Sequence, residues 1–66
     1  MNNLNDFKIA LNSLWTDVVS TRKTFNDSYL PLSAADRVEF NTDFRKLAES
    51  IEMMTLKIED LQKEDK

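Results

Sequence analysis

The chain contains no glycine, no cysteine and no histidine, and its one proline is Pro31. The absence of cysteine excludes disulfide bonds, and the absence of histidine removes the most common metal ligand of proteins. Without glycine, the chain cannot form the glycine-rich loop that binds nucleotide phosphates. Because glycine and proline cost about 1 and 3 kcal/mol inside a helix, their near absence favours long uninterrupted helices.

The same absences argue against catalysis. General acid–base and nucleophilic catalysis need a titratable or nucleophilic group held in a cleft. Glu49 and Glu52 are three residues apart, as in di-iron helical bundles, but those bundles use Glu-x-x-His pairs. The sequence therefore predicts a protein that is not an enzyme and has no metal site, no cofactor and no small-molecule substrate.

The 66 residues predict a single small domain, residues 1–66, with a formal charge of −3. A core of this size rarely supplies more than about 3–5 kcal/mol without a further stabiliser. Since disulfides and metals are excluded, we expect self-association or a bound partner to stabilise the chain. No apolar run reaches the ~18 residues of a membrane span, and no signal-peptide pattern opens the sequence. The prediction is a cytoplasmic protein that binds no membrane.

Apolar residues recur at alternating spacings of three and four on both sides of a predicted turn at residues 29–33. This spacing predicts helices, since a strand would alternate at every second residue. We expect one helix at about 4–28 and another at about 34–62. Pro31 disfavours a helical residue before it and so ends the first helix.

Each predicted helix has a residue suited to cap its N-terminus, Asn3 for the first and Ser33 for the second. When the chain is folded at the turn, Phe25 lies opposite Phe40, and the other apolar residues pair in the same register. The predicted fold class is therefore all-α: an antiparallel two-helix hairpin that resembles a coiled coil.

Heptad lettering predicts that two apolar rows on each helix, at positions a and d, face the other helix. The a rows are Leu4, Leu11, Val18 and Phe25 in the first helix and Phe44, Ile51 and Ile58 in the second. The d rows are Phe7, Leu14 and Thr21 in the first helix and Phe40, Leu47, Met54 and Leu61 in the second. All of these residues are interpreted as core.

Apolar residues outside the a and d rows predict a second packing face. Trp15, at position e, is its expected centre, because the small Ala48 across the hairpin leaves space for the indole. A contiguous exposed apolar patch often marks an interface. The predicted residues of this protein-binding or dimer interface are Ile9, Trp15, Val19, Ala48, Met53 and Leu56. The alternative is that Trp15 only covers the edge of the core and the others are incidental.

This face is predicted to join two copies of the chain in a homodimer, a four-helix bundle, or to bind an unidentified protein. If the dimer uses it, the partner surface moves to the turn or to the acidic exterior of the second helix. At the turn, Tyr29, Leu30 and Leu32 are expected to cover the end of the core, with a docking tip as the alternative.

Basic residues gather toward the turn and form a possible site for an anionic partner. They are Arg22, Lys23, Arg37, Arg45 and Lys46. Nucleic-acid-binding proteins usually have denser basic stripes, and the acidic net charge of this chain opposes binding to phosphates. The simpler interpretation is a solvated charged surface without nucleic acid as a partner.

The size and heptad layout resemble the Rop family of plasmid copy-number proteins, in which two helical hairpins dimerise into a four-helix bundle. That resemblance implies a nucleic-acid-binding regulator. The stretch Arg45–Ile51 resembles the second helix of the small acidic co-chaperones of type III secretion needles, which implies an escort role. Size and acidity are also similar to phage-encoded inhibitors of host proteins. We favour a non-catalytic protein-binding module that regulates, inhibits or escorts a partner by occluding its surface.

Overall fold

The computed structural model describes residues 3–64, and the predicted domain ends at 1 and 66 lie outside this range. Two helices, α1 (Asn3–Asp27) and α2 (Ala34–Glu64), pack against each other, and the described residues include no strand. The rod they form measures 52 × 17 × 10 Å. The prediction of an all-helical hairpin is confirmed.

The start of α2 follows from its capping residue. The Ser33 hydroxyl oxygen accepts a hydrogen bond from the Asp36 backbone N–H at 3.1 Å, and the Ser33 carbonyl accepts one from the Arg37 N–H at 3.0 Å. Ser33 is therefore the N-cap, as the sequence predicts. Asn3 was expected to cap the first helix, but it is instead the first residue of α1.

Arg37, in the first turns of α2, links this helix to the turn and to the end of α1. Its Nη2 donates hydrogen bonds to the carbonyl oxygens of Ser28, at 3.3 Å, and Leu30, at 3.5 Å. Its guanidinium carbon lies 5.7 Å from the centre of the Phe25 ring. Because α1 has no basic residue in its last turn, Arg37 supplies the positive charge that favours a helix C-terminus.

The apolar turn covers the core only in part. Leu30 and Leu32 are half-buried, whereas Tyr29 is 97% exposed. The prediction that all three residues cover the end of the core is therefore wrong for Tyr29, whose ring points into solvent.

The core lies along the a rows. Leu11 and Ile51 are each 4% exposed and Ile58 is 7% exposed, and the half-buried Leu4, Trp15 and Val18 pack against them. At the turn end, the Phe25 ring centre lies 5.3 Å from that of Phe40 and 5.8 Å from that of Phe44. The contact between Phe25 and Phe40 confirms the pair that the sequence predicts next to the turn.

The prediction that the d rows also belong to the core is wrong. Their large residues are all between 41% and 52% exposed: Phe7, Leu14, Phe40, Leu47, Met54 and Leu61. Two helices contact each other along one line and bury only a narrow strip of each surface. Beside the a rows, the row that is partly buried is position e, where Trp15 packs on the core and Ala48 and Thr55 are of intermediate exposure.

Candidate interaction surfaces

The two long sides of the hairpin differ in chemistry. On a helix, positions d and e lie on opposite sides of position a, at about −60° and +40° around the axis. Arg22 and Asn41 both occupy position e and are hydrogen-bonded across the hairpin, so the e rows of both helices share one side. The d rows of both helices therefore lie together on the other side.

We call the side with the e rows the polar flank. Its members that link the two helices are Lys8, Arg22, Asn26, Asn41 and Glu59. The Asn41 Oδ1 accepts hydrogen bonds from Arg22 Nε at 3.1 Å and from Asn26 Nδ2 at 3.0 Å, and Asn41 Nδ2 donates back to Asn26 Oδ1 at 3.0 Å. At the other end, the Lys8 ammonium lies 2.9 Å from the Glu59 carboxylate. These five polar side chains are therefore engaged within the chain.

We call the side with the d rows the apolar flank. It consists of the half-exposed residues Phe7, Leu14, Phe40, Leu47, Met54 and Leu61. Within residues 3–64, no hydrogen bond or ion pair between side chains crosses from α1 to α2 on this side. An apolar strip that is continuous along both helices is the kind of surface that marks a binding interface.

Trp15, the expected centre of the second packing face, lies on the polar flank and is only partly accessible. It packs on the core, Ala48 is also half-buried, and the indole Nε1 is shielded from solvent without a hydrogen-bond acceptor among the described residues. An open groove of about 420 Å³ runs beside the indole and is lined by Asn12, Trp15, Glu52, Thr55 and Leu56. Of the residues predicted for the second packing face, Trp15 and Leu56 therefore line the same groove.

The remaining residues predicted for this face are exposed but dispersed. Met53 and Leu56 line a second open groove on the outer side of α2, together with Met54, Lys57 and Asp60. Ile9 and Val19 are exposed on α1 and line neither of these two grooves. Leu56 is therefore the residue that connects the Trp15 groove with the outer surface.

The five basic residues do not form one open cluster. Arg22 and Arg45 line a groove of about 360 Å³ near the turn. Arg22 is bonded to Asn41, and Arg45 lies 3.7 Å from the Glu49 carboxylate. Arg37 is held by carbonyl oxygens of the turn. Of the five, only Lys23 and Lys46 have neither a side-chain hydrogen bond nor an ion pair in the part of the chain that the structure describes, and both are exposed.

Sequence reasoning missed the apolar flank as a surface because it assigned the d rows to the core. A signal for it exists in the e row of α2, which consists of Asn41, Ala48, Thr55 and Gln62 and carries no charge. Together with Trp15 at position e of α1, this means that three adjacent rows, at positions d, a and e, contain residues suited to burial. Such a stripe is wider than one neighbouring helix covers.

Neither helix of the described range has an apolar stretch long enough to cross a membrane. Within the same residues, no group of three or more carboxylates is placed to hold a metal ion. Comparisons with protein-family models, curated proteins and solved structures give no match to this chain.

Proposed function

We propose that this chain is a non-catalytic protein-binding module that works as a homodimer, in which two hairpins form a four-helix bundle. In this proposal the module regulates, inhibits or escorts a partner protein by occluding its surface. The observation that carries it is the apolar flank, a strip of six large side chains that one hairpin leaves half exposed.

The small core of the single hairpin supports self-association. Only Leu11, Ile51 and Ile58 are buried among the described residues, and a chain of this size needs a further stabiliser. Covering each half-exposed side chain of the apolar flank contributes about 1 kcal/mol. A second copy presents the same flank, and one self-complementary patch is sufficient to build a closed two-fold dimer.

The groove beside Trp15 is the surface we assign to the partner protein. It lies on the polar flank and stays outside a dimer that is closed on the apolar flank. Tryptophan and large aliphatic side chains provide much of the binding energy in protein interfaces. Trp15 and Leu56 form the apolar wall of the groove, and Asn12, Glu52 and Thr55 supply its polar rim.

Sedimentation equilibrium of the wild type, Leu47→Glu and Leu56→Glu tests the dimer. Leu47 and Leu56 are both on α2 and are 52% and 55% exposed, so the same substitution is matched in burial. We expect twice the chain mass for the wild type and for Leu56→Glu, and a helical monomer for Leu47→Glu, which places a carboxylate in the interface. A wild-type monomer across the micromolar range would contradict the dimer.

Differential capture from the cells of origin tests the partner surface. We expect a protein that is retained by the wild type and by Ser20→Glu, which carries its carboxylate on the exposed outer side of α1. The same protein should be lost with Leu56→Glu. Equal retention by Leu56→Glu and the wild type would show that the Trp15 groove is not the binding surface.

A further inference from the structure

We propose that the second copy packs on the apolar flank with its turn at the opposite end, so that α2 runs antiparallel to the partner's α2. In this arrangement the two-fold axis passes near Leu14 and Ser50. The inference rests on the proposed self-association and specifies its geometry.

The first argument is the position of the d rows along the rod. The d row of α1 is centred on Leu14, and the d row of α2 is centred between Leu47 and Met54, beside Ser50. Leu14 lies eleven residues before Phe25, and residue 51 lies eleven residues after Phe40, the phenylalanine in contact with Phe25. Both rows are therefore centred at the same level. A single two-fold axis at that level superposes each row on its own copy.

The second argument is the pairing that this axis produces. On α2 it places Phe40 against the partner's Leu61, and Leu47 against the partner's Met54. On α1 it places Leu14 beside the partner's Leu14. Each of these three pairings joins half-exposed apolar side chains, which is the contact that coiled-coil layers require, whereas Phe7 meets the partner's Thr21.

The third argument is charge complementarity at the edge of the strip. Asp43 lies between Phe40 and Leu47 on the outer edge of the apolar flank, and Lys57 lies between Met54 and Leu61 on the same edge. Both are exposed, and within residues 3–64 neither forms an ion pair. The antiparallel arrangement brings Asp43 next to the partner's Lys57, and the axis generates this pair twice.

The other two-fold arrangement, with both turns at the same end, places α1 over the partner's α2. Lys57 would then face the partner's Ala10, and Asp43 would face the partner's Thr24. Neither contact pairs opposite charges, so this arrangement lacks the two ion pairs. We therefore favour the antiparallel one.

A charge exchange between the two positions tests the pairing. Asp43 and Lys57 are fourteen residues apart on one helix, which is about 21 Å and too far for a direct contact within the chain. We expect Asp43→Lys and Lys57→Asp each to raise the dimer Kd about tenfold, since each change puts two like-charged pairs at the interface. The double variant should return to within about threefold of the wild type, because both pairs are restored in reverse.

Disulfide trapping supplies an independent readout, and the chain has no native cysteine to interfere. Ser50→Cys places two thiols beside the proposed axis, and mild oxidation should give a covalent dimer. The control is Ser20→Cys, which is exposed on the outer side of α1 and should stay monomeric on a denaturing gel.

The outcomes separate the geometry from the proposed function. A dimeric wild type with recovery in the double charge variant and a trapped Ser50→Cys dimer supports the antiparallel arrangement. A dimeric wild type with additive charge effects and no trapped dimer overturns this arrangement and leaves the dimer itself standing. A monomeric wild type overturns both.

Discussion

The polar flank and the apolar flank border the same core, but they differ in whether their side chains have partners within the chain. On the polar flank, Asn41 forms hydrogen bonds with Arg22 and Asn26, and Lys8 forms an ion pair with Glu59. These polar groups of α1 and α2 are therefore paired with each other within the chain. On the apolar flank, large side chains of both helices stay about half exposed. Polar groups that are already bonded to each other, as these five are, gain little from a second copy of the chain. A strip of uncovered apolar groups gains the free energy of removing them from water.

This difference suggests a division of roles between the two sides. The links on the polar flank join α1 to α2 on both sides of Trp15 along the chain, and Trp15 itself packs on the core. The apolar flank then presents a pre-organised surface, since its side chains project from helices that are already aligned. We therefore expect substitutions to lower the stability most in the shared core, less at the hydrogen bonds of the polar flank, and least at the ion pair of that flank.

The largest effect is expected in the core that both flanks share. Ile51→Ala should destabilise the protein by about 2–5 kcal/mol, because it leaves a cavity beside Leu11. Chemical denaturation followed by circular dichroism measures this loss. Met53→Ala is the control, since Met53 is 66% exposed and lies on the same helix. Equal losses for the two variants would show that Ile51 is not the centre of the core.

An intermediate effect is expected at the hydrogen-bonding centre of the polar flank. Asn41→Ala removes the partner of Arg22 and Asn26, and it should cost about 1 kcal/mol relative to Asn12→Ala. The Asn12 side chain forms no hydrogen bond within residues 3–64, so its substitution controls for helix propensity. Denaturation measures the cost, and sedimentation should show an unchanged mass. A dissociated Asn41→Ala dimer would contradict the division of roles between the flanks.

The smallest effect is expected at the ion pair of the polar flank. Glu59→Gln removes the charge that faces Lys8 across the hairpin. Because both side chains are more than a third exposed, we expect a loss of only about 0.2–1 kcal/mol. This loss should vanish in 1 M salt, where the Debye length is about 3 Å. The control is Glu52→Gln, since Glu52 is exposed and forms no ion pair among the described residues. A loss that persists in high salt would indicate packing rather than charge.

Much of the fold could be predicted because it depends on local rules. The 3–4 spacing of apolar residues predicts helices, Ser33 caps α2 through a side-chain hydrogen bond, and the register follows from the pairing of Phe25 with Phe40. The candidate surface could not be predicted with the same success. Heptad lettering treats position d as core, and only the packing of Trp15 on the buried cluster shows that position e is partly buried instead.

The sequence by itself determined that this chain forms two helices and that they fold back on each other. Spacing, capping and the absence of glycine act within a few residues of each other, so they can be read from the chain. Only the tertiary structure decided whether the row at position d or the row at position e packs against the other helix. Positions d and e lie at comparable angles on either side of position a, and both rows carry residues suited to burial. The choice rests on contacts between residues distant in sequence, such as the hydrogen bond between Arg22 and Asn41 and the packing of Trp15 on the core.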